Sequence, residues 1–122
     1  MLLKCLAVGA GGFIGSVFRY LVGLIPFLSK SEIPFQTLAV NVVGAVLIGV
    51  IVQSADTYGN ISEQWMLFLK VGICGGFTTF STFSLEALGL MQSGRMLLFG
   101  VYAAASLALC IAGVYAGKML MS

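Results

Sequence analysis

The stretch from Lys70 to Glu86 concentrates the groups best suited to handling an ion: glycines at 72, 75 and 76, hydroxyls at Thr78, Thr79, Ser81, Thr82 and Ser84, and phenylalanines at 77, 80 and 83. Gly75-Gly76 is a weak point for a helix, because each glycine costs about 1 kcal/mol relative to alanine. The β-branched pair Thr78-Thr79 adds to that cost. Gly75 to Thr79 would lie about 8–14 Å beyond Lys70 at about 1.5 Å per residue, near the centre of a bilayer if the segment spans one. A helix broken there exposes backbone groups, which lipid tolerates only when they are buried in protein or line a wet cavity. Freed carbonyls can coordinate a cation, and a half-helix N-terminus can face an anion. The plainer alternative is a kink whose loose groups are satisfied by threonine side chains.

Phe80 and Phe83 are three apart and share a helix face. An aromatic ring has a negative face and a positive edge. An edge turned into a passage contacts a small anion without the hold of a fixed cation, and conduction needs binding that is favourable yet easily released. Simple packing of the rings is the competing explanation. Thr37 and Asn41 are four apart, as are Tyr102 and Ser106. Polar groups at membrane depth usually face the bundle or a water path. They serve either as interhelical glue or as hydrogen-bond donors along an anion track. Arg19 and Glu86 are the deepest charges apart from Lys70. They either snorkel to the interface or pair with one another, or Arg19 attracts anions to a vestibule.

The elements that must position these groups follow from composition. The chain has 122 residues, 60% hydrophobic and 8% charged, against roughly 25% charged in a soluble domain. So few charges cannot cover a water-exposed surface. The expected architecture is all-α, one domain over residues 1–122, with membrane-crossing segments at roughly 4–25, 35–53, 65–92 and 96–118, each near the length of about 20 residues that a span requires. Pro26, Pro34, Gly59 and the turn at Gln92 to Arg95 fall in the connectors, and Trp65 opens the third segment as an interfacial aromatic. Gly11/Gly15, Gly72/Gly76 and Gly113/Gly117 are spaced for close backbone packing, either inside one subunit or at a dimer seam. Lys4 ahead of a glycine-rich run containing Arg19 reads as the first span rather than a secretory signal.

Several function classes are excluded. Cys5, Cys74 and Cys110 are too far apart and too apolar in context for a disulfide framework or a zinc site. Histidine is absent, which removes His-based triads and proton relays. No nucleophile–base pair points to an enzyme. The net charge of +2 is too small and too dispersed for nucleic acid. The cations also fail to orient the chain. Lys4, Lys70 and Lys118 belong to one side and Arg19, Lys30 and Arg95 to the other, three against three. Orientation normally follows a Lys/Arg excess on the cytoplasmic side. Without one, insertion in both directions is expected, which permits an antiparallel homodimer.

The run from Gly75 to Ser84 resembles the signature of the Fluc (CrcB) fluoride channel family. Gly11-Gly12-Phe13-Ile14-Gly15 with Arg19-Tyr20 is similar to that family's first helix, and Thr37 to Gly44 to its second. The resemblance covers essentially the whole chain. It implies a dual-topology antiparallel homodimer in the bacterial inner membrane, with two pores passing fluoride passively outward to relieve its toxicity. It implies that Phe80 and Phe83 are the pore phenylalanines, that Asn41 contacts fluoride beside them, and that Ser81, Thr82, Tyr102, Ser106 and Thr37 line the path, with Arg19 at the vestibule. It further implies a structural sodium ion at the dimer centre, held by the carbonyls of Gly75 and Thr78. The alternative, a small proton-coupled multidrug exporter, needs a buried carboxylate. The first segment has none, and Glu86 lies near a helix end.

Overall fold

The computed structural model describes residues 1–122 and is helical throughout, with four helices long and apolar enough to cross a membrane. Helix α1 is Leu2–Gly23. Pro26 then pushes Ile25 into extended backbone (φ −71°, ψ 113°), as expected for a residue preceding proline, and opens the short helix α2, Pro26–Ser29. Helix α3 is Phe35–Tyr58 and stops at Gly59, whose φ of 68° is left-handed and whose N–H donates back to the Ala55 carbonyl. Glycine enters that conformation without a Cβ penalty.

Helix α4, Glu63–Met66, begins at Ser62, whose hydroxyl accepts the Trp65 N–H at 3.3 Å. It continues as a π-helical stretch over Leu67–Cys74, a short α5 at Gly75–Phe77 and, after an interruption, α6 at Phe80–Gln92. Gly94 (φ 78°) turns the chain into α7, Met96–Met121. The four spans, Leu2–Gly23, Phe35–Tyr58, Glu63–Gln92 and Met96–Met121, match the expected segments except at their ends. The second runs past 53 because nothing between Gln53 and Tyr58 breaks a helix. Gln53 even donates to Thr57 one turn on, at 3.3 Å.

Only 15 of 122 residues are buried, far too few for a chain that must hide its apolar surface from water. Leucines, phenylalanines and methionines instead point outward along every span. The helices associate in two close pairs, α1 with the π stretch and α5, and α3 with α7. Small residues make both possible. Gly11 and Gly15 face Gly72 and Ile73, and Gly113 and Gly117 face Ala45 and Val46. The glycine pairs therefore pack helices within one chain. A Cβ at Gly15 would run into the Ile73 carbonyl oxygen and lie 2.8 Å from the Phe77 nitrogen. Since backbone cannot yield as a flexible side chain does, Gly15→Ala should lower stability by about 1–3 kcal/mol. A melting curve in detergent identical to the parent's would contradict this.

Polar ties mark the ends of the bundle. Lys4 pairs with Glu63 at 3.0 Å, and the Thr57 hydroxyl donates to the Met121 carbonyl at 3.3 Å. Both termini and the second connector thus share one end. Arg95 pairs with Glu32 at the other.

Candidate functional site

Both glycines of the expected weak point, Gly75 and Gly76, remain helical. Extended backbone occurs just beyond them, at Thr78 (φ −91°, ψ 159°) and Thr79 (φ −153°, ψ 123°). The reason is the set of competing partners available there. The Asn41 side chain from α3 grips Thr79 at two points: its amide donates to the Thr79 carbonyl at 3.1 Å, and its Oδ1 accepts the Thr79 N–H at 2.8 Å. The Thr79 hydroxyl accepts the Thr82 N–H at 3.1 Å and caps α6. The Thr78 hydroxyl folds back on the Cys74 carbonyl at 2.8 Å. Arg19 from α1 donates through Nε to the Gly76 carbonyl at 3.0 Å.

The carbonyls of Gly75 and Thr78 are among those that lose their helical donors as a result. In a continuous helix the Thr79 N–H would bond to Gly75 and the Thr82 N–H to Thr78. Those amides go instead to Asn41 and to the Thr79 side chain. Gly75 and Thr78 are the residues whose carbonyls the family resemblance implies as sodium ligands, and both border the same groove.

That groove holds about 420 Å³ between α3, the third span and α7. Phe80, Phe83, Asn41 and Ser106 all line it. The two phenylalanine rings lie 5.5 Å apart, tilted by 35°, and Phe80 is 79% exposed. Phe83 leans on Tyr102, with centroids 5.0 Å apart. The Ser106 hydroxyl is buried yet has no hydrogen-bond partner, an uncommon condition that costs about 1–3 kcal/mol unless something else occupies it.

A second cavity of about 380 Å³ collects Arg19, Thr37, Thr82 and Glu86. Glu86 binds neither Arg19 nor any other cation. Its carboxylate accepts the Thr37 hydroxyl at 3.0 Å and the Tyr102 hydroxyl at 2.9 Å. The expected polar track is therefore split between two places. Ser106 and Asn41 border the groove, whereas Thr37 and Thr82 border the second cavity and Tyr102, fully buried, gives its hydroxyl to Glu86. Ser81 is exposed and borders neither.

The sequence profile described as CrcB-like protein, Camphor Resistance (CrcB), matches residues 6–118. The chain belongs to the CrcB family. Relatives are similar over nearly full length. A protein named fluoride-specific ion channel FluC from Agrobacterium fabrum is 49% identical, with 93% of this chain and 91% of the relative aligned. A protein of the same name from Chlorobaculum tepidum is 48% identical over 94% and 91%, and one from Ruminiclostridium cellulolyticum is 42% identical over 98% and 92%. As a CrcB protein with four apolar spans, the chain is a multi-pass integral membrane protein.

In this CrcB chain, sequence reasoning missed two roles. Asn41, which borders the groove, is a brace for Thr79, and one of its two amide hydrogens is already spent there. Glu86 joins α3 and α7 to α6 through Thr37 and Tyr102. The only advance signal for Glu86 was its presence as a carboxylate inside an apolar span.

Proposed function

We propose that the chain is one subunit of a fluoride-selective, passive channel that lets fluoride out of the cell and so relieves its toxicity. The names of the CrcB relatives support the ion. The observation that carries the reading for this chain is the groove in which the Phe80 and Phe83 rings stand beside Asn41 and the unpartnered Ser106 hydroxyl. A fluoride ion is small and a strong hydrogen-bond acceptor. Ser106 offers it a free donor, Asn41 a second N–H, and the rings their positive edges. Beside the rings the contacts are neutral donors and ring edges rather than a full cation, so the ion can leave as readily as it arrives.

The subunit works as a single 1–122 unit in an antiparallel homodimer with two pores, inserted in both directions in the bacterial inner membrane. The balance of three cations on each side supports dual insertion. The groove opens on the surface of the chain, where an inverted second copy would complete its wall and bring the extended residues near the middle of the bilayer. Thr37, Thr82, Tyr102 and Ser81 then act as polar lining or supports, and Arg19 and Glu86 flank a vestibule.

A sodium ion would fit at the centre of this dimer. The carbonyls of Gly75 and Thr78 have lost their helical donors, and carbonyl oxygens suit a hard cation. Two copies would supply four such oxygens, held in place by Asn41 and Arg19 through the neighbouring Thr79 and Gly76. When bound, the ion would supply fixed positive charge and satisfy backbone that otherwise lacks partners.

Reconstitution in liposomes tests the reading. Fluoride efflux down its own gradient, with no proton gradient and with chloride excluded, is the expected result. Absence of fluoride flux together with proton-driven uptake of a cationic drug would replace it with the exporter reading.

A further inference from the structure

The chain's two ion pairs use Lys4 with Glu63 and Arg95 with Glu32. Lys70 has neither a salt bridge nor a side-chain hydrogen bond, and its side chain is exposed. It nevertheless lines the same groove as Phe80, Phe83 and Ser106. It stands on the π-helical stretch Leu67–Cys74, a backbone form often found at functional sites. It lies eight residues before Thr78, about 12 Å along the axis. It is the only charged residue lining the groove, which it shares with apolar residues such as Ile48 and Val114.

A lone cation set in an apolar rim is not packing material. An intramembrane ionisable group without a partner generally marks an ion path. Lysine can lay its methylene stem along apolar wall while the ammonium stays in water, where it remains a compact, strongly hydrated charge. Low-dielectric walls on either side focus its field into the groove.

We propose that Lys70 is an anion-gathering charge at the mouth of the groove, opposite the phenylalanine end. It raises the local concentration of a small anion without touching it at the narrow part, so that recruitment and release stay separate. In an inverted pair, one Lys70 would stand at each face of the membrane, so both entrances gain equally. The assignment rests on the channel reading above.

The test compares fluoride currents of the parent, Lys70→Gln and Lys70→Arg in planar bilayers, at fixed fluoride and at two ionic strengths set with an impermeant salt. The Debye length is about 30 Å at about 0.01 M and about 3 Å at about 1 M. Attraction over about 12 Å at an effective dielectric of roughly 40 is worth about threefold in local anion concentration. Lys70→Gln should therefore carry about threefold less current at low salt and match the parent at high salt, with Lys70→Arg close to the parent in both. A Gln variant equal to the parent at low salt, or one reduced alike at both salts, would overturn the assignment and leave the channel reading intact. A parent that passes no fluoride would overturn both.

Discussion

Phe80→Ile should abolish most of the fluoride flux while leaving the protein's assembly and melting behaviour unchanged. Phe80 is 79% exposed in the single chain, so isoleucine removes little intramolecular packing. What it removes is the ring edge. Aromatic contacts of this electrostatic kind are worth about 0.5–1.5 kcal/mol, and about 1.4 kcal/mol in a barrier is tenfold in rate. Each substitution, Phe80→Ile or Phe83→Ile, should thus slow fluoride by up to about tenfold. Phe83 differs in one respect. Its ring packs against Tyr102 at 5.0 Å, so Phe83→Ile should also lower the melting temperature, whereas Phe80→Ile should not. Efflux from liposomes and thermal denaturation in detergent read the two effects separately. Parental flux in both variants would end the ring-edge account.

Asn41→Asp is the second large effect. The substitution keeps shape and keeps an acceptor for the Thr79 N–H, a bond of 2.8 Å. It deletes the donor that meets the Thr79 carbonyl at 3.1 Å and sets two oxygens against each other. A part-buried carbonyl left without a partner costs about 1–3 kcal/mol. The new negative charge also borders the groove, where it repels an incoming anion. Both a lower melting temperature and a fluoride flux reduced by more than about tenfold are expected. Asn41→Asp with parental stability would mean that the grip on Thr79 contributes nothing. Asn41→Asp with parental flux would remove Asn41 from the anion's path.

These two residues also mark how far local pattern reached. The four spans were legible because each is a long apolar run with polar or breaker residues at its ends. The shared face of Phe80 and Phe83 was legible because helix spacing alone decides it. The position of the break was only approximate. Glycine propensity pointed to Gly75-Gly76, but the outcome is decided at Thr78 and Thr79 by a side chain 38 positions earlier. Likewise, Glu86 looked free to meet Arg19, since both lie toward the same end of the bundle. Two hydroxyls, 49 and 16 positions away, reach it instead, and Arg19 reaches a carbonyl 57 positions on. Such bonds depend on how whole helices lie against one another, which no window of neighbouring residues encodes. The π-helical form of Leu67–Cys74 left no trace in the sequence for a similar reason: nothing in those eight residues distinguishes a π-helix from an ordinary one.

That wide coil has a bearing on aim. A turn closed to the fifth residue rather than the fourth takes in one more residue than an α-helix does. One residue corresponds to about 100° of rotation about the axis. The stretch from Leu67 to Cys74 therefore works as an angular offset, setting the compass heading of everything downstream. Tightened by a single residue, the same amino acids from Gly75 onward would face a different neighbour, and the rings at 80 and 83 would swing away from the wall that carries Ser106.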